Sequence, residues 1–160
     1  MTSEHPDADL FRPSLDASHD VELVDRPWDP ASITMASFFV GPFGAAWLVA
    51  RNQGRLRTGG LRWLLPVAGI LVSVGTHLSI YFGPADAEPL ESGQVRVLMR
   101  IATVALTWLA LAPQRTRFRI FEHEGGKAAG MWGPGFLALF LNLLLAIVVA
   151  AVLEVAAPIR

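Results

Sequence analysis

The sequence contains no cysteine, and of its 13 basic residues only Lys127 is a lysine. The first absence excludes disulfides, thiolate metal sites and cysteine nucleophiles. The arginine bias points to a GC-rich bacterial genome and carries no functional signal. Basic residues are also scarce near the start: Arg12 and Arg26 stand against Glu4, Asp7, Asp9, Asp16, Asp20, Glu22, Asp25 and Asp29. No basic n-region precedes an apolar block, so no cleavable signal peptide is expected and the apolar blocks belong to the mature chain. Sustained apolar/polar alternation is missing, which makes strand pairing improbable. No nucleophile–base pair, dinucleotide fingerprint or carboxylate dyad stands out.

What the chain does have is apolar residues in blocks. Of 160 residues, 52% are hydrophobic. A soluble domain interleaves polar residues at helical or strand periods, whereas membrane proteins concentrate apolar residues into spans of about 20. Four such segments are legible: 31–50, 63–83, 95–112 and 128–155. Within lipid the backbone must satisfy its own hydrogen bonds, so helices are the expected form. The expected fold is therefore all-α: a polytopic membrane protein with a compact four-helix transmembrane bundle at 31–157. Residues 1–30, rich in Asp, Ser and Pro, are expected to form a disordered acidic tail, because they cannot bury enough apolar surface to offset chain entropy.

The loops suggest an orientation. Loop 51–62 carries Arg51, Arg55, Arg57 and Arg62 without an acid. Loop 113–127 carries Arg115, Arg117, Arg119 and Lys127 with Glu122 and Glu124, and loop 84–94 carries only Asp86, Glu88 and Glu91. The positive-inside rule places both basic loops in the cytoplasm and the acidic loop outside a multi-pass plasma-membrane protein. Trp47, Trp63, Trp108 and Trp132 fall at the same expected ends, where indole rings favour the interface. These seven arginines are the expected contacts for anionic lipid, at about 1 kcal/mol per basic residue near the surface. Nucleic-acid binding is the weaker reading, since the basic groups sit in short juxtamembrane loops.

The stretch "ASFFVGPFGAAWLVARN", residues 36–52, is ambiguous. Gly41-Pro42 either bends a spanning helix or turns the chain back as a re-entrant hairpin. Arms of only about ten residues, with irregular backbone inside the bilayer, favour spanning. That choice puts the acidic tail outside, and the hairpin would keep it on the cytoplasmic side.

Small and weakly polar residues recur at helical spacing, among them Gly41 and Gly44, Ser73, and Asn142. Such positions line helix–helix contacts in membranes, because they permit close approach and cross-helix hydrogen bonds. His77, Arg100 and Glu154 are ionisable groups within three different segments. An intramembrane charge costs about 2.5–3.5 kcal/mol at the centre of a span, and pairing offsets that cost. An Arg100–Glu154 ion pair near His77 is the sharp expectation, and separate snorkelling to the interface is the plain one. "FEHEGGKAAG", residues 121–130, lacks the residue pattern of a phosphate loop and reads as a flexible turn. No metal site and no cofactor are expected.

These features point to a non-enzymatic membrane-embedded subunit or scaffold that packs against itself or a larger protein partner in the lipid bilayer. A small transporter or ion- or proton-coupled channel subunit using His77, Arg100 and Glu154 is the alternative.

Overall fold

A computed structural model describes residues 26–58, 63–82 and 92–156. Among the described residues five helices follow in order: α1 (Pro30–Arg55), α2 (Leu64–Phe82), α3 (Ser92–Ala110), α4 (Ala112–His123) and α5 (Trp132–Ala156). No strand occurs among the described residues. By length and composition α1 and α5 are apolar enough to cross a membrane, and the bent pair α3–α4 makes a third candidate if counted as one span.

Helix α1 passes that test on composition, yet it is not straight. Gly41 sits at φ 72°, ψ 176°, which is not helical. This region is essentially glycine-only, since a Cβ there meets the flanking backbone. Pro42 then restarts the helix, its missing N–H lost at a position where no intrahelical partner exists. The consequence is long-range. The Trp28 N–H donates to Asn52 Oδ1 at 2.8 Å, across 24 residues. A straight helix would separate those two residues by about 36 Å. The chain therefore folds back on itself, and α1 is a helical hairpin with arms 30–40 and 42–55. The arms are about 16 and 21 Å long, and neither spans a hydrocarbon core of about 30 Å. The expected spanning first segment is corrected here. The amphipathic count of apolar residues was sufficient for a span, but one left-handed dihedral reverses the direction of the chain.

Asp29 starts the first arm. Its carboxylate accepts from Ala31 N–H at 2.9 Å and Ser32 N–H at 3.1 Å. Pro30 occupies the first helical turn. Such a cap is worth about 1 kcal/mol. It sits at the open end of the hairpin, called the base below, beside Asn52.

The hairpin is the core. Ile33, Ser37, Val40, Gly44, Ala45, Leu48, Val49 and Asn52 are all buried. Helices α2, α3 and α5 each pack against α1 extensively, and α2 also touches α5. The outward faces of α3 and α5 are broadly apolar and exposed, including Leu98, Leu106, Phe140 and Val152. A soluble core would invert that pattern. The surface is apolar where lipid would lie.

The expected basic loop 113–127 is a second correction. Residues 112–123 are helical, bent 58° from α3. Leu111, Gln114 and Phe118 face inward at spacings of three and four, while Arg117 and Arg119 are exposed. Amphipathic spacing, masked in the sequence by the basic residues between, makes this a helix lying against the base. The stretch 121–130 finishes α4 and caps it: Gly126 N–H donates to the Phe121 carbonyl at 2.9 Å, and Gly125 is left-handed. Residues 26–30, expected within the tail, are also ordered, with Trp28 only 3% exposed. The expected disordered tail at 1–25, the acidic loop at 84–91 and Arg62 lie outside the described residues.

Candidate functional site

The hairpin has two polar ends, and each is built by a different set of helices. At the base, Asn52 is fully buried. Its Oδ1 accepts the Trp28 N–H, and its Nδ2 donates to the Trp28 carbonyl at 3.1 Å and to Gln114 Oε1 at 2.9 Å. Gln114 Nε2 donates to the Val49 carbonyl at 3.2 Å. One carboxamide thus copies a backbone strand edge for Trp28 and passes a proton donor to α4. Both Asn52 donors and its acceptor are used. Groups this deeply buried are costly when unpaired and favourable when every partner is met. The Ala129 N–H donates to the Pro27 carbonyl at 2.9 Å, which ties the approach to α5 into the same end.

Cations and indoles surround this network. The Arg55 guanidinium lies 3.9 Å from the Trp28 ring centre and donates to the Arg26 carbonyl at 2.9 Å. Arg51 lies 5.6 Å over Trp47, and the two indoles are 6.5 Å apart. Arg115 lies 4.3 Å over Trp108. Arg57 follows α1 with a left-handed φ of 48°. Both basic stretches therefore meet at one end of the molecule, together with the chain leaving Arg26 toward its acidic N-terminal residues.

At the tip, Asn142 of α5 abuts Gly41. A Cβ on Gly41 would lie 2.7 Å from Asn142 Nδ2. One turn away, a Cβ on Gly44 would lie 2.7 Å from the Ala138 carbonyl, so only glycine allows α5 this close. Gly69 of α2 also rests close to the tip, against the Pro42 carbonyl and Phe43. Ser73 follows one turn on and is 5% exposed.

Two polar atoms near the tip are unmatched. Ser73 Oγ and Asn142 Oδ1 are buried with no hydrogen-bond partner. Other hydroxyls in these helices bond back to their own backbone: Thr76 to the Val72 carbonyl, Ser79 to Gly75 and Thr103 to Met99. Hydroxyls in apolar helices commonly satisfy themselves in this way. Ser73 Oγ has no such bond, and the Ser73 carbonyl accepts from His77 Nδ1 at 2.7 Å.

His77, Arg100 and Glu154 are not gathered together. His77 is half-buried and engaged with its own helix. Arg100 is exposed, with its guanidinium 5.4 Å over the Phe38 ring, just before the tip. Glu154 is exposed twelve residues beyond Asn142, about 18 Å further along α5. No ion pair links Arg100 to Glu154. Among the described residues no group of three or more His, Cys, Asp or Glu side chains is placed to hold a metal.

The base network is the feature that sequence reading passed over. Its signal was present: the stripe Ser37, Gly41, Gly44, Ala45 continues in steps of three and four through Leu48 to Asn52. Compared with known proteins, the chain matches no family model, no curated protein and no solved structure.

Proposed function

We propose that the chain is a non-enzymatic, membrane-embedded subunit or scaffold that packs against itself or a larger protein partner. One observation carries this reading: the buried amides Asn52 and Gln114 are committed to holding the hairpin shut against α4 and Trp28, so the polar interior serves architecture. In this reading α2, α3 and α5 are the crossings of a bacterial plasma membrane, and α1 enters from one side and returns. The basic end faces the cytoplasm by the positive-inside rule, and the acidic tail lies there too. Gentle detergent purification tests it. A stoichiometric protein partner or a defined homo-oligomer is the expected result, and a bare monomer with a measurable ion or proton flux in vesicles overturns it.

A second reading is favoured by a different observation. Irregular backbone at membrane depth occurs where protein or a water-filled cavity receives it. The break at Gly41, with Asn142 Oδ1 and Ser73 Oγ unmatched beside it, is the arrangement that broken-helix transporters use near the midplane. A small transporter or channel subunit follows if Asn142→Leu abolishes a flux while assembly is retained.

Sidedness is directly measurable, because the chain has no native cysteine. In sealed vesicles an impermeant maleimide is expected to label Ser3→Cys and Thr58→Cys from the same side, and Glu88→Cys from the other. Labelling of Ser3→Cys together with Glu88→Cys would mean that α1 spans.

A further inference from the structure

The outward face of α3 carries a groove of about 650 Å³, lined by Phe38, Ile101, Val104, Ala105, Trp108 and Leu109. Its lining is apolar, and a cation lies over Trp108, one of its lining residues. The Arg115 guanidinium lies 4.3 Å over the Trp108 ring, and Nη2 donates to the Trp108 carbonyl at 3.2 Å. The remaining Arg115 N–H groups meet no acceptor among the described residues. Arg100 covers Phe38.

We infer that this groove is a specific site for one anionic phospholipid, with an acyl chain along α3 and the phosphate on Arg115. The inference rests on the membrane reading above. Three features fit that ligand. The lining is apolar, and cations lie over two of its aromatic residues, Arg115 over Trp108 and Arg100 over Phe38. A guanidinium pinned over an indole presents a planar fork that matches phosphate oxygens two at a time. Tryptophan at the end of an apolar helix marks headgroup depth. A second copy of the chain fits less well. Packing two α3 faces about an axis along the membrane normal would set Arg100 against Arg100 and Arg115 against Arg115, and like charges oppose that contact.

Native mass spectrometry of the full chain tests the site, with phosphatidylglycerol and phosphatidylcholine of identical acyl chains as probes. One phosphatidylglycerol is expected to be retained in preference to phosphatidylcholine. Arg115→Gln is expected to lower its affinity about fivefold, the effect of removing one basic group near the headgroups. Lys127→Gln, an exposed cation beyond α4 and outside the seven arginines, is expected to leave it nearly unchanged. Equal retention of the two lipids overturns the proposal. Equal losses in both variants overturn it as well, since that result means diffuse surface charge. So does a co-purifying protein that shields Ala105→Cys from a lipid-soluble maleimide. Should the chain instead remain soluble without detergent or lipid, the membrane reading itself falls. That outcome is distinct from a membrane-bound chain that shows no lipid preference.

Discussion

Gly41→Ala is expected to be among the most destabilising single substitutions in the protein. Two independent penalties meet at this position. At φ 72°, ψ 176° an alanine occupies backbone space that L-residues avoid, at about 1–3 kcal/mol. Its Cβ would also lie 2.7–2.9 Å from three atoms of the Asn142 side chain, and overpacking adds about 1–3 kcal/mol. Thermal or denaturant unfolding in detergent measures the sum. A second variant separates the terms. In the double variant Gly41→Ala/Asn142→Ala the steric part is relieved and the dihedral part remains, so the loss should be partly recovered. Full recovery would mean that the turn tolerates alanine. No loss in the single variant would mean that the chain does not turn at Gly41.

Asn52→Leu is expected to have a similarly large effect by a different route. Leucine is close in volume but leaves the Trp28 N–H, the Trp28 carbonyl and Gln114 Oε1 without the partners they have now. Each buried polar group left unsatisfied costs about 1–3 kcal/mol, and the total is a large share of an ordinary net stability of about 5–15 kcal/mol. Asn52→Asp tests the donors alone. It keeps an acceptor for the Trp28 N–H but sets a carboxylate oxygen against two oxygens, so it should destabilise as well. Asn52→Leu combined with Gln114→Leu removes both sides of one bond and should cost less than the two single changes added together. Strict additivity in that cycle would show that the two amides do not act as one unit. Unfolding followed by tryptophan fluorescence is well suited here, because Trp28 and Trp47 both border the network.

Much of the architecture was legible in the residues. The apolar blocks located α2 and α5 to within a few residues of their ends, since a helix in an apolar setting needs little beyond a long uncharged run. The small residues Gly41, Gly44, Ser73 and Asn142 stood out by helical spacing; Gly41 lies against Asn142, Gly44 lies against the Ala138 carbonyl, and Ser73 is buried. Helix α4 was hidden because Arg115, Arg117 and Arg119 dominate its composition. Its inward positions, Gln114 and Phe118, are only two, and one is polar. The proposed meeting of Arg100 and Glu154 assumed that segment ends correspond to depths. Depth is set by what each helix packs against: Arg100 lies beside Phe38 near the tip, while α5 continues well beyond Asn142.

By itself the sequence determined that the chain is helical, that its helices present apolar faces, and that its basic residues collect in two stretches. Those properties are sums over neighbouring residues, so local composition is enough to set them. Only the tertiary structure decided the direction of α1. Hydropathy carries no direction, and a run of 26 residues reads the same whether straight or folded back. The choice rests on a single glycine dihedral and on hydrogen bonds between residues 24 and 62 positions apart. The longer of the two exists only once α4 has been brought to the hairpin. A long-range polar match of this kind stabilises a turn that local preference permits but does not require.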